Sequence, residues 1–189
     1  TASTGIDALT HAIECYTSPR ATLINDLVAE KAIELIGANI RTAYARGEDL
    51  AARNAMLMGS LLAGMALAIA NVGVVHALAQ TIGGMVHVPH GVANALLLPH
   101  VMAFNRIGCR EKYAKVAALL GERTEGLSLE QASLAAVSAV RQLTQDLQIP
   151  QRLRDVDVPE DLLQIAAQRC METQTRIVTN NPRAVTEDD

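Results

Sequence analysis

The chain has 189 residues, half of them hydrophobic, with a formal net charge of -4 and a sequence pI near 5.7. That suffices for one well-buried core and not for two generous ones, so residues 1–189 are read as a single domain. There is no basic surplus to neutralise phosphates, and only three Tyr and one Phe could stack on bases, so nucleic acid is disfavoured as a partner.

A first helix is expected to run to about Tyr16, capped by Ser3 or Thr4, with Thr4-Gly5-Ile6-Asp7 matching the capping-box pattern and Pro19 ending the element. From about Thr22 to Tyr44, Leu23, Leu27, Val28, Leu35, Ile36 and Ile40 recur at helical spacing opposite Asp26, Glu30, Lys31 and Glu34. Leu50 to Ala70 is mostly Ala, Leu, Met and Gly, which predicts a closely packed central helix. A further helix is expected from Gly73 to about Ile82, broken by Gly83-Gly84. Pro89-His90-Gly91 then forms a turn before a helix from about Val92 to Phe104. Glu111 to Leu120, Leu129 to Leu147 and Pro159 to Glu172 read as an outer helical layer, and the one β-leaning fragment is Arg176 to Thr179. The fold class is therefore all-α, a helical bundle.

From Asn54 to Asn105 there is no Asp, Glu, Lys or Arg, yet four of the five histidines fall in that stretch. Its length would suit a membrane span. However, Asn71, His76, Gln80, His87, Pro89, His90 and Asn94 interrupt it and no aromatic belt flanks it, so a buried core housing a polar site is the preferred reading. Cys15, Cys109 and Cys170 form no C-x-x-C pair and read as reduced thiols of a cytoplasmic protein. No basic-then-apolar leader opens the chain.

Asp7 and His11 stand four residues apart, so a helix points a carboxylate and an imidazole from one face, a spacing able to chelate a cation. The alternative is that Asp7 is the acid of the capping box and His11 a satisfied core histidine. His76 and His90 could be brought to one point by folding. They could equally be two buried histidines, because no H-E-x-x-H motif links them. Imidazoles in a stretch without carboxylates would be served by a cation, with Asp7 as the counter-charge.

Thr4-Gly5-Ile6-Asp7-Ala8-Leu9-Thr10-His11-Ala12-Ile13-Glu14, Val75-His76-Ala77, Pro89-His90-Gly91-Val92-Ala93-Asn94-Ala95, Leu98-Pro99-His100-Val101 and Thr179-Asn180-Asn181-Pro182-Arg183 together resemble the successive signatures of iron-dependent (group III) alcohol dehydrogenases. The resemblance covers essentially the whole chain. It implies the dehydroquinate-synthase-like, all-helical C-terminal domain of those enzymes, with Asp7, His11, His76 and His90 as ligands of one divalent metal, usually iron and in some members zinc. It also implies interconversion of alcohols with aldehydes or ketones using NAD(P), the metal polarising the substrate oxygen. The N-terminal half that binds the nucleotide in that family has no counterpart in this sequence. Gly83-Gly84 is no dinucleotide fingerprint, and the isolated chain is expected to bind metal without turning over alcohol.

Gln80 stands one turn after His76, where many members carry a histidine that assists proton movement. Gln cannot relay a proton, and it is retained as a substrate- or cofactor-facing residue. His87, His100 and Cys15 receive no role. Alternatives within and outside the chemistry are a glycerol-dehydrogenase-like member of the same superfamily and a non-enzymatic helical metal-binding or assembly module. The expected partners are a small alcohol or aldehyde and a second copy of the chain, with no membrane.

Overall fold

A computed structural model describes residues 1–189 as nine α-helices and two short 3-10 turns, with no strand, as the periodicities predict. The helices are α1 (Ala2–Thr17), α2 (Leu23–Ala45), α3 (Leu50–Ala70), α4 (Val74–Met85), α5 (His90–Asn105), α6 (Arg110–Leu119), α7 (Leu129–Asp146), α8 (Leu162–Thr173) and α9 (Thr175–Val178). Local chemistry sets several of the starts. Thr22 accepts from the Asn25 amide, Asp49 accepts from the Ala52 amide, and Ser128 and Gln131 form a reciprocal capping box.

The central helix is α1, not α3. It packs against α2, α3, α5 and α6, and Ile6, Leu9, Ile13 and Cys15 are essentially inaccessible to solvent. The fully buried residues of α3 are all small, Ala52, Gly59, Ala63, Ala66 and Ala70, with Met56, Leu62 and Leu67 half-buried against the core beside them. Gly59 allows the approach, since a Cβ there would lie 2.7 Å from Ile36 Cγ1 of α2. The other large residues, Leu50, Leu57, Met58, Leu61, Met65 and Ile69, face out. This is the one helix long and apolar enough to cross a bilayer, and it is packed along one side on α1 and α2. A helix apolar on every face carries no phase saying which side is inside, so the expectation of a central α3 followed from composition alone.

Other boundaries shift for local reasons. The first helix begins at Ala2 with Thr1 as its cap residue, and no side chain caps it. Thr4 instead donates back to the Thr1 carbonyl at 3.4 Å, so the Thr4–Asp7 capping box does not form. Gly83-Gly84 do not break α4; they occupy its last turn, where a weak helix former costs little, and the chain leaves at Val86. His90 is the first residue of α5 rather than part of the preceding turn. Pro159–Asp161 form a turn ahead of α8, and the β-leaning Arg176–Thr179 fragment falls largely in the short α9.

Asn71, between α3 and α4, has φ 62° and ψ 166°, a conformation that favours glycine and costs about 1–3 kcal/mol elsewhere. The chain's last segment holds it there. Asn180 Nδ2 lies within hydrogen-bond range of the carbonyls of Ala70 (2.9 Å), Asn71 (3.0 Å) and Val72 (2.9 Å), while its Oδ1 accepts from Ser18 Oγ. Asn105 and Asn181 exchange amide hydrogen bonds of 2.8 and 2.6 Å, and Arg183 donates to the Phe104 carbonyl while stacking over that ring. The Thr179-to-Arg183 signature is thus a clasp that fixes where α4 starts.

Candidate metal centre

Three helix segments meet where α1 passes the starts of α4 and α5. The close approach of α1 and α5 depends on Gly91, because a Cβ at that position would lie 2.6 Å from the Ser3 carbonyl oxygen. Backbone cannot yield there as a side-chain tip can, which gives the Pro89-His90-Gly91 signature a steric reason.

The approach brings Asp7, His76 and His90 together, one donor atom from each lying within 4.8 Å of the others. Asp7 Oδ1 is 3.8 Å from His76 Nε2 and 3.5 Å from His90 Nε2. Two donors bound about 2.1 Å from one tetrahedral ion stand about 3.4 Å apart, so the spacing suits a shared cation better than direct hydrogen bonds. Buried His76 Nε2 has no hydrogen-bond partner. An unpaired imidazole lone pair in apolar surroundings is costly unless a cation takes it, and this atom is the clearest sign that the residues fit a metal.

His11 stands beside this trio rather than within it. Its ring centroid is 4.2 Å from that of His76, and Nδ1 is 2.8 Å from the Asp7 carbonyl oxygen, its acceptor one turn back. With Nδ1–H committed there, Nε2 carries the lone pair of the neutral ring. Burial pushes the His11 pKa below the ordinary imidazole range and His76 adds to the shift, while Asp7 opposes it. The neutral, ligating form is therefore favoured.

Two residues not singled out from the sequence complete the cluster. Asn94, one turn into α5 from His90, donates Nδ2 to Asp7 Oδ1 at 2.5 Å and lies 3.0 Å from His90 Nε2, holding carboxylate and imidazole in one place. Glu14, on the α1 stripe that bears Asp7 and His11, sits behind His76 with Oε2 2.6 Å from Nδ1. The i, i+4, i+7 spacing of Asp7, His11 and Glu14 was available as a signal. What it lacked was the partner, 62 residues away.

Gln80 is exposed, one turn beyond His76 on α4. His87 is exposed in the link before α5, and His100 lies at the surface toward the far end of α5, where partial burial of its ring, with Arg141 nearby, lowers its pKa. Cys15 is buried and donates to the Asn71 carbonyl; burial pushes its thiol up to about 12, so it is a core residue and no nucleophile.

The profile described as "Fe-containing alcohol dehydrogenase family, C-terminal" matches residues 1–189. The 1,3-propanediol dehydrogenase of Citrobacter freundii is 51% identical over 160 residues, covering 85% of this chain and 41% of that protein. Lactaldehyde reductase of Escherichia coli (strain K12) is 42% identical over 188 residues, covering 100% of this chain and 48% of that protein. Among solved structures, a 1,3-propanediol oxidoreductase superposes with a TM-score of 0.97 at 46% identity, over 100% of this chain and 49% of that one. An alcohol dehydrogenase from Oenococcus oeni gives 0.95 at 38% identity. The chain spans about half the length of the relatives it matches. With the profile covering every residue, the chain belongs to the Fe-containing alcohol dehydrogenase family, over the part its C-terminal profile describes.

Proposed function

We propose that these residues form a single metal-binding domain, the catalytic half of an NAD(P)-dependent alcohol dehydrogenase, with Asp7, His11, His76 and His90 holding one divalent cation, iron before zinc. The observation that carries the proposal is the convergence of Asp7, His76 and His90 around a buried His76 nitrogen that has no other partner. A set of one carboxylate and three imidazoles, without thiolate, suits Fe²⁺ or Zn²⁺.

When bound, the ion would act as a Lewis acid toward the oxygen of an alcohol or aldehyde. The chain's own contribution is positional. Asp7 supplies negative charge, Asn94 holds that carboxylate, and the carbonyl of Asp7 orients His11. Gln80, exposed above His76, is assigned to hydrogen bonding with substrate or cofactor, since its amide can donate and accept but cannot take up a proton. NAD(P) is assigned to a nucleotide-binding domain outside these residues, because no helix here follows a strand as the dinucleotide fold requires.

The relatives' names include 1,3-propanediol, lactaldehyde, methanol and long-chain alcohols, so the substrate is proposed as a class, alcohols and their carbonyl products. A polyol such as glycerol, the substrate of a glycerol-dehydrogenase-like enzyme, belongs to that class. Cytoplasmic placement, supported by three unpaired cysteines, and self-association belong to the same proposal.

Elemental analysis and thermal melting before and after chelation test the site. We expect about one equivalent of iron or zinc per chain in the wild type and none in His76→Ala. At a free-metal level of about 100 times Kd, chelation should lower Tm by about 5–10 °C. Metal content and melting temperature unchanged by His76→Ala would overturn the ligand assignment. No uptake of Fe²⁺ or Zn²⁺ under anaerobic conditions would leave the helical assembly module as the better reading.

A further inference from the structure

Glu14 is a carboxylate only 6% exposed, and a buried charge has to be compensated. Its two oxygens are used separately. Oε1 accepts the backbone N–H of Val75 at 2.7 Å, and Oε2 lies 2.6 Å from His76 Nδ1. Val75 is the second residue of α4, whose cap residue Gly73 provides no side chain, so Glu14 caps that helix from α1. A Cβ on Gly73 would come within 3.1 Å of Oε1, and glycine is what lets the carboxylate reach the backbone.

We propose that Glu14 is a positioning residue for the cation site: it fixes His76 as the Nδ1–H tautomer and pins the first turn of α4, aiming the Nε2 lone pair at the ion. The proposal rests on the reading that these residues bind a divalent cation. A carboxylate only accepts hydrogen bonds, so the shared proton sits on Nδ1 and the neutral ring leaves Nε2 bare. Nε2 is the buried atom without a partner, 3.8 Å from Asp7 Oδ1. Charge agrees with geometry, since Asp7 in the ligand set and Glu14 behind it together balance a 2+ ion. One stripe of α1 would then carry a ligand carboxylate, a ligand imidazole and the group that orients the ligand on α4. Carboxylates placed behind metal-bound histidines typically govern 10–100-fold in affinity.

The test uses Co²⁺ as a spectroscopic probe on the purified protein and on Glu14→Gln and Glu14→Asp. In Glu14→Gln the amide oxygen can keep the Val75 hydrogen bond while its NH₂ meets His76 Nδ1, which favours the Nε2–H tautomer that cannot ligate. We expect about 10–100-fold weaker Co²⁺ binding by chelator competition, altered d–d bands, and ¹⁵N imidazole shifts that move His76 from Nδ1–H to Nε2–H in the metal-free protein. Glu14→Asp keeps the charge one methylene short and should recover the tautomer and most of the affinity. A Glu14→Gln protein that melts lower, yet retains wild-type Co²⁺ affinity, bands and tautomer, would make Glu14 a helix cap and nothing more. Should Glu14→Gln not fold, Glu14→Asp decides: an Nε2–H tautomer with undiminished affinity overturns the proposal. Failure of the wild type to bind Co²⁺ overturns the cation reading itself, and the metal-free tautomer then reports separately on whether Glu14 holds His76.

Discussion

The charge-free run from Asn54 to Asn105 folds into two regions with opposite relations to water. Its first part, within α3, fully buries only small residues and turns Leu57, Leu61, Met65 and Ile69 outward. Its second part, α4 and α5, buries Val74, Val75, Ala77, Ala95, Leu98 and Met102 and carries His76 and His90 to the cluster. Composition is alike in the two and burial is not. What separates them is residue size against the neighbouring helix: α3 meets α2 through Gly59 and alanines, so its large side chains are at most half-buried at the edges of that contact. The lesson is that an apolar tract marks what water disfavours, whereas the pattern of small residues marks which side is packed.

The sharpest way to break this contrast is to remove the same side chain from each region. Leu98→Ala, at a position 0% exposed, should lower unfolding free energy by about 2–5 kcal/mol in denaturant titration. Leu61→Ala, at 58% exposure, should change it by no more than about 0.5 kcal/mol. Equal losses would mean that α3 is buried in solution. Next in size is Gly91→Ala, which drives a methyl into the Ser3 backbone. It should cost about 1–3 kcal/mol and weaken Co²⁺ binding, because α5 and His90 must move away from α1. Wild-type stability and binding would show that the helix contact is looser than 2.6 Å implies. The smallest effect on stability belongs to the Leu57→Gln/Leu61→Gln pair, expected to leave Tm nearly unchanged while reducing binding of a hydrophobic dye. A large drop in Tm there would erase the contrast from the other side.

Most helices were legible in the sequence because their apolar positions repeat with the helical period, as α2 and α7 show. The orientation of α3 was not, since a helix apolar on all faces has no phase. Asp7 and His11 could be paired by spacing, but gathering His76 and His90 with them depended on family resemblance. Glu14, Asn94 and the positive φ of Asn71 stayed hidden because each is defined by a partner far away in the chain, which no local pattern encodes.

The clasp around Asn71 bears on the order in which the protein is made. Asn180 holds the Ala70 carbonyl from 110 residues downstream, a stretch that takes a ribosome about 5–20 s to add. Asp7 and His11 precede that interval and His76 and His90 are made early in it, while the link that sets the start of α4 still lacks the amide that stabilises its unfavourable turn. The turn at Asn71, and with it the start of the helix that carries His76, is therefore secured only after a long stretch of chain has followed the cluster's own residues.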